Sequence, residues 1–228
     1  MKLLIILPAF NEATVIIPVI RQLKAVGKTL PVDSQICVVN DGSTDKTAAV
    51  CEAEKVVVLS HLINCGLGAS LATGLAYARR NNFDFAITID SDGQHDPHDL
   101  IHLLKPLMKG KADVVIGSRM LVKNNQMPWL RQLNNHLFNW LTYFFFQVKT
   151  SDSLSGFRGF NRRAIQLIKL KTERMEVSNE FFSEINRNHL RFIEVSIKVI
   201  YTEYSLAKGV KPGTVFAIIF RLLLRLVR

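Results

Sequence analysis

The sequence predicts an α/β fold: a mainly parallel sheet with helices on both faces, plus a C-terminal amphipathic helix. Two observations carry that expectation. Short, continuously apolar runs alternate with amphipathic helical patterns through the first half of the chain, as strands buried on both faces of a parallel sheet require. The polar clusters follow strands, which gathers them beyond the carboxyl edge of the sheet, where ligands of such folds bind. At 228 residues and 48% apolar, the chain can bury one sizeable core.

The first apolar run, residues 3–7 of MKLLIIL, stops at Pro8 and is followed by polar AFNE. A secretory signal needs an apolar core of roughly 7–15 residues and a small-residue cleavage site, so the run reads as a buried first strand. A helical pattern follows at about 14–26. The second strand, at 35–39, leads into Asn40-Asp41-Gly42-Ser43-Thr44-Asp45, with Ser43 or Thr44 expected to cap a helix at about 44–53. A third strand at 56–59 precedes Asn64-Cys65-Gly66-Leu67-Gly68-Ala69-Ser70 and a helix at about 68–80. The fourth, at 85–89, ends in Asp90-Ser91-Asp92-Gly93-Gln94-His95-Asp96. Pro97 suits the first turn of the next helix, at about 97–108, and Asp96 suits its cap. A fifth strand at 114–116 leads to Gly117-Ser118-Arg119.

The second half is less regular. A polar stretch at 123–126 is followed by a long apolar and aromatic helix at about 129–148, in which Phe144-Phe145-Phe146 reads as core or as a wall facing lipid. Then come the turn-rich DSLSGFRGF, a polar helix near 177–188 and a strand near 192–200. Gly209 and Pro212-Gly213 set off the last segment, dividing the chain into units 1–208 and 209–228. In that segment Arg221, Arg225 and Arg228 form one cationic stripe on an otherwise apolar helix. From Thr214 it reaches only ~22 Å, short of a ~30 Å hydrocarbon core, which fits a helix lying in the headgroup region. Docking on protein is the alternative. No stretch reaches the ~18–20 apolar residues of a spanning helix.

Lys and Arg number 29 against 19 Asp and Glu, a net charge of +10 that favours nucleic acid, acidic lipid or phosphorylated small molecules. Cys37, Cys51 and Cys65 form no CxxC pair and are odd in number, which argues against a disulfide framework and for reduced thiols in a cytosolic protein.

Asp90 and Asp92 carry the strongest chemical signal. Carboxylates two apart on an extended chain diverge, but Gly93 supplies a turn that lets both approach one hard divalent cation, Mg²⁺ or Mn²⁺, with Gln94 as a neutral oxygen ligand. A solvated acidic turn is the competing reading. Asp41 can accept from the N–H edge of a uracil or guanine ring, whereas Asp45 suits a helix cap. The glycines of the Gly66–Gly68 loop lack the spacing of a dinucleotide or P-loop fingerprint and instead let a helix pack beneath a nucleotide pocket. His95, His98 and His102 fall near one helical face; clustered surface histidines are expected there rather than zinc. No Ser/His/Asp or Cys/His nucleophile set stands out.

PAFNE, VVNDGSTD, NCGLGASLATG, DSDGQHDP, GSR and DSLSGFR, in that order, resemble the inverting family-two glycosyltransferases of GT-A (Rossmann-like) fold. The nearest subgroup is that of the dolichol- and polyprenyl-phosphate sugar synthases, over about residues 3–165. The resemblance implies that Pro8, Ala9, Asn11, Glu12 and Gly68 line the nucleotide pocket and that Asp41 meets the base. It implies that Asp90, Ser91, Asp92 and Gln94 hold the metal and donor diphosphate. Arg119 would stand near the phosphates and Arg131 would hold an acceptor lipid phosphate. Three departures stand out: Asn40 where aspartate is common, Leu67 where a basic residue is frequent, and YTEYSLAKG, with Lys208, where an arginine often faces the diphosphate.

The implied chemistry is an in-line displacement at the anomeric carbon, with the metal and basic residues neutralising the leaving diphosphate. A lipid-phosphate acceptor needs no protein base; a sugar hydroxyl would, with Asp152 or Glu180 as candidates. The expected partners are a nucleotide-diphosphate sugar, a polyprenyl-phosphate or saccharide acceptor and a membrane surface, at the inner face of the cell membrane, with no nucleic acid. The rivals are extension of a cell-surface polysaccharide or lipid-linked saccharide, a basic nucleic-acid-binding protein, and an inactive nucleotide-sugar-binding scaffold.

Overall fold

The computed structural model describes residues 1–122, 127–172 and 177–200. Lys208 and the unit 209–228 lie outside the described residues. Among the described residues seven strands form one sheet, in the order β3-β2-β1-β4-β6-β5-β7. They are β1 (Lys2–Ala9), β2 (Asp33–Asn40), β3 (Val57–Ser60), β4 (Phe85–Thr88), β5 (Val114–Ser118), β6 (Arg158–Asn161) and β7 (Phe192–Ser196). The helices are α1 (Ile16–Gly27), α2 (Thr47–Ala53), α3 (Leu67–Arg80), α4 (Leu100–Met108), α5 (Trp129–Phe146), α6 (Arg162–Leu167) and α7 (Val177–Arg187).

The reason β1 reads as an unbroken apolar run is visible in its pleat. Leu3, Ile5 and Leu7 pack with Ile16, Ile20 and Leu23 of α1 and with Leu100, Leu103 and Leu104 of α4. Leu4 and Ile6 pack on the other face with Leu71 and Leu75 of α3 and Phe181 and Phe182 of α7. Successive side chains serve two cores, so neither parity can be polar. Gly74 completes the second core: a Cβ there would come within 2.4 Å of Ile6 Cγ2, so only glycine lets α3 lie this close to β1.

Two expectations are corrected. The DSLSGFRGF segment is not only turn: its end forms β6, which runs antiparallel between β4 and β5 and makes the sheet mixed. With an arginine and a glycine among four residues, β6 shows no apolar run in sequence. Ser43 and Thr44 do not cap α2. The Ser43 hydroxyl accepts from the Asn11 amide at 3.0 Å, and the Thr44 amide donates to Asn11 Oδ1 at 2.9 Å. The capping acceptor is Asp45, which takes the Thr47 amide at 2.9 Å. Asp96 caps the Pro97–Asp99 turn as expected, accepting from the His98 amide at 2.9 Å.

Candidate functional site

The motif residues converge at the carboxyl edge of β1, β2 and β4, and long-range hydrogen bonds sew their loops together. The Asp41 amide donates to the Ala9 carbonyl at 2.8 Å, and the Ser91 hydroxyl to the Pro8 carbonyl at 2.9 Å. The Glu12 amide donates to Thr47 Oγ1 at 2.9 Å, while Asn11 holds Ser43 and Thr44. Asn11 does this from a left-handed backbone, φ 55°, which asparagine tolerates. Pro8, Ala9, Asn11, Glu12, Asp41 and Ser91 thus share one edge. A cleft of about 890 Å³ opens at the opposite edge, lined by Met1, Lys28, Asp33 and Lys55, and contains no motif residue.

Asp41 is buried and anchors the loop that feeds α3. Its Oδ1 meets His61 Nδ1 at 2.7 Å and the Cys65 amide at 2.9 Å; its Oδ2 takes the Gly66 amide at 2.7 Å. His61 is fixed in turn by Thr73 Oγ1, 2.9 Å from Nε2. A carboxylate offers about four lone-pair sites, so three donors leave Asp41 one acceptor position. Ligand atoms of Asp41, His61 and Cys65 lie within 4.8 Å of one another. They are already joined by hydrogen bonds, and a His/Cys set suits softer metals than Mg²⁺ or Mn²⁺. Gly68 is buried in the first turn of α3, beneath this loop.

Asp90 and Asp92 follow β4 and lead into the turn at Gly93, whose φ of 76° supplies the bend. The Asp90 side chain is 38% exposed, and its Oδ2 lies 3.2 Å from Nε2 of the buried His95. Burial pushes the Asp90 carboxyl up, but the His95 bond and the positive charges of Arg119 and Arg158 outweigh it and hold the group below the usual carboxylate range. Asp92 goes the other way, raised by burial and by the negative charge of Asp90. Its two oxygens accept from the Gln94 amide at 3.0 Å and from Gln94 Nε2 at 2.5 Å. Two carboxylates that repel each other at a partly open edge fit a divalent cation, whose charge relieves the repulsion. Gly156 presses on the same group: a Cβ there would stand 2.3 Å from Asp90 Oδ1.

The three histidines do not share a ligand. His95 bonds Asp90, His98 bonds Asp96 at 2.8 Å, and His102 approaches Asp99 at 3.2 Å. His95 is buried rather than a surface residue, its ring tilted against that of Phe157 with centroids 5.1 Å apart, which corrects the expectation for it.

Both candidate bases are committed elsewhere. Buried Asp152 grips Arg119 through two bonds of 2.7 Å and accepts from Asn135 Nδ2 at 2.8 Å. Burial raises its carboxyl, but Arg119 overrides and holds it low. Glu180 accepts from the Lys171 and Thr172 amides, each at 2.9 Å. Arg131 stands in the first turn of α5, half-buried; one and two turns on, Asn135 and Asn139 bond the Ser151–Ser153 segment. Arg158 was not singled out from sequence. It is buried in β6 with its guanidinium 4.5 Å from the Phe181 ring centroid, donates to the Ser153 carbonyl at 2.9 Å, and is pushed down to about 10 by burial. The only sequence trace of this role is a lone arginine between Phe157 and Phe160.

A sequence profile described as Glycosyl transferase family 2 matches residues 4–168. The chain is 39% identical, over 98% of its length and 92% of the relative's, to an uncharacterized protein of Methanocaldococcus jannaschii. It is 31% identical to the UDP-N-acetylglucosamine–dolichyl-phosphate N-acetylglucosaminyltransferase of Methanococcus voltae, over 96% of this chain and 94% of that one. Glucosyl-3-phosphoglycerate synthase from Mycobacterium tuberculosis, crystallised with Mn²⁺ and UDP-glucose, superposes with a TM-score of 0.72 at 20% identity, over 97% of this chain and 76% of that one. At that identity the likeness shows the fold, GT-A.

Proposed function

The chain belongs to glycosyl transferase family 2, and from that premise we propose that it moves a sugar, with inversion, from a nucleotide diphosphate to a polyprenyl phosphate at a membrane surface. The observation that carries the proposal is the Asp90–Asp92 pair just beyond the end of β4, at the turn made by Gly93 and on the edge it shares with Asp41. In this reading Asp41 takes the ring N–H of the base with its remaining acceptor site, and Pro8, Ala9, Asn11, Glu12 and Gly68 shape the pocket around it. Asp90 and Asp92, with Gln94, hold Mg²⁺ or Mn²⁺, which when bound supplies positive charge to the diphosphate. Arg119, fixed in place by Asp152, adds its charge from the β5 side.

The state of the carboxylates supports this acceptor. A sugar hydroxyl must lose its proton as it attacks, which requires a carboxylate able to receive it. Asp152 is bound to Arg119 and Glu180 to backbone amides, and neither serves. A phosphate monoester is already ionised near pH 7 and needs no base. Its oxygen bonds to the anomeric carbon as the bond to the leaving diphosphate breaks, and the electron pair departs with the diphosphate. Arg131, on the helix that borders Asp152, is the residue assigned to the acceptor phosphate. The dolichyl-phosphate transferase of M. voltae supports the same acceptor class.

No helix among the described residues is long and apolar enough to cross a membrane. We place the chain at the cytoplasmic face, where it would meet both substrates as a peripheral protein. The acidic edge opposes a nucleic-acid backbone, so we assign the +10 charge to phosphorylated ligands and acidic lipid.

A thermal-shift series with nucleoside diphosphates tests the donor half. UDP or GDP should stabilise the protein only when Mn²⁺ or Mg²⁺ is present, by about 2.7 kcal/mol at a hundredfold excess over Kd. If no nucleoside diphosphate stabilises it with either ion, the reading fails. Incorporation of labelled sugar into polyprenyl phosphate, abolished in Arg131→Ala while donor binding persists, tests the acceptor half.

A further inference from the structure

Helix α5 turns two asparagines inward yet leaves a row of large apolar side chains exposed. Asn135 and Asn139 face the protein and bond Asp152, Ser151 and Ser153, beside buried Phe138 and Leu141. The opposite face carries Trp129, Leu133, Leu137, Trp140 and Phe144 at spacings of four, four, three and four residues, one continuous row. Trp129 is 74% exposed, Leu133 57%, Trp140 58% and Phe144 59%. Trp140 and Phe144 stack on each other at 5.5 Å. The row runs for ~22 Å along the helix.

We propose that this face is a membrane-docking surface, lying flat in the headgroup region of an anionic bilayer. An exposed apolar row of this length marks a binding surface. Its composition selects the occupant. Tryptophan and tyrosine concentrate at the boundary between water and hydrocarbon, and here both tryptophans of the chain and Tyr143 stand on this side of α5. The helix contains no acidic residue, carrying only Arg131 and His136, so nothing in it repels an anionic lipid surface, and the chain as a whole is +10. It cannot cross the bilayer, which leaves the interfacial plane. The inner face of the same helix borders Asp152 and Arg119, so docking would bring the site to the depth at which a lipid phosphate lies. That placement rests on the lipid-acceptor reading; the docking itself does not.

The chain provides its own probe, because Trp129 and Trp140 are its only tryptophans. With the full chain and vesicles of phosphatidylglycerol and phosphatidylcholine, tryptophan emission should shift to the blue and be quenched by bromine-labelled acyl chains. Leu133→Ser should weaken vesicle binding roughly tenfold without lowering the melting temperature. Co-sedimentation with vesicles while the emission stays red and unquenched would mean that another segment docks alone, and overturns the proposal. So does emission that is already blue and shielded from acrylamide before lipid is added. Concentration dependence of that shielding would identify a second copy as the occupant, and its absence a segment of the same chain. Stabilisation by UDP or GDP with Mn²⁺ is read in the same samples, so failure of docking and failure of the glycosyltransferase reading are separate results.

Discussion

The two halves of the molecule obey different rules. From β1 to β5 both faces of the sheet are covered: β1 feeds one core with its odd residues and another with its even ones, and the large exposed apolar side chains are confined to loops and the first residue, at Met1, Phe10, Leu62 and Ile63. Across α5 the assignment is partly reversed, with asparagines turned inward to Asp152 and Ser151 and tryptophans outward. The second half departs from that rule where the proposed acceptor comes from lipid. A helix that leaves a continuous row of large apolar side chains exposed is explained by a partner, not by the fold.

The sharpest way to break this comparison is to remove charge from the donor edge. Asp92→Asn should lower transfer about 10³-fold, since in the proposed function it removes a ligand of the ion that meets charge developing at the leaving group. Its melting temperature should hold or rise, because the substitution ends the repulsion from Asp90. The pH dependence has a defined sign. Asp92 binds its proton more tightly when folded than when unfolded, so its contribution to stability is present below the unfolded value of about 3.9 and is lost as pH rises through the raised one. Divalent-ion binding should strengthen over the same rise. Calorimetric titration with Mn²⁺ across that range checks it, and ion affinity that falls with pH would contradict it.

Next in size is the hinge between the halves, the Arg119–Asp152 pair. Asp152→Asn leaves Arg119 without its bidentate partner in a buried setting, a loss of about 3 kcal/mol. At ~2–4 °C per kcal/mol for a domain of this size, the melting temperature should fall by about 6–12 °C. The wild-type carboxyl is held low, so its contribution is present above the unfolded value of about 3.9 and is lost as pH falls through the folded one. An unchanged acid-unfolding midpoint in the variant would show that the pair is not load-sharing between the halves. Gly156→Ala is subtler: its Cβ would meet Asp90 Oδ1 at 2.3 Å and push the carboxylate aside. Misplacement of that order costs about 10²-fold in activity with the fold kept; wild-type turnover in the variant would show that Asp90 tolerates displacement.

Sequence legibility divides along the same line. The strands of the first half were readable because double-sided burial leaves an unmistakable apolar run, and the acidic clusters because they follow those runs. β6 was not, since Arg158 and Gly159 break its pattern and are tolerated only because Phe181 stacks on one and Leu107 closes over the other. The role of Gly156 depends on Asp90, 66 positions away in the chain, and the helix caps at Ser43 and Thr44 were pre-empted by Asn11. Local sequence carries local preference; it is silent where a distant residue decides.

The smallest expected effect discriminates best, because it compares two faces of one helix. Phe138 is buried against Leu141, with Phe145 and Leu154 packed around them, so Phe138→Ala should cost about 3–5 kcal/mol. Leu133, on the next turn toward the N-terminus but on the outer side, is 57% exposed, and Leu133→Ser should change stability by no more than about 0.5 kcal/mol. Chemical denaturation in the absence of lipid measures both. If Leu133→Ser proves as damaging as Phe138→Ala, the outer row is already packed against protein, and the two halves of the molecule follow one rule after all. If it is silent in solution yet impairs vesicle binding, the row is kept apolar for a reason that folding in water does not supply.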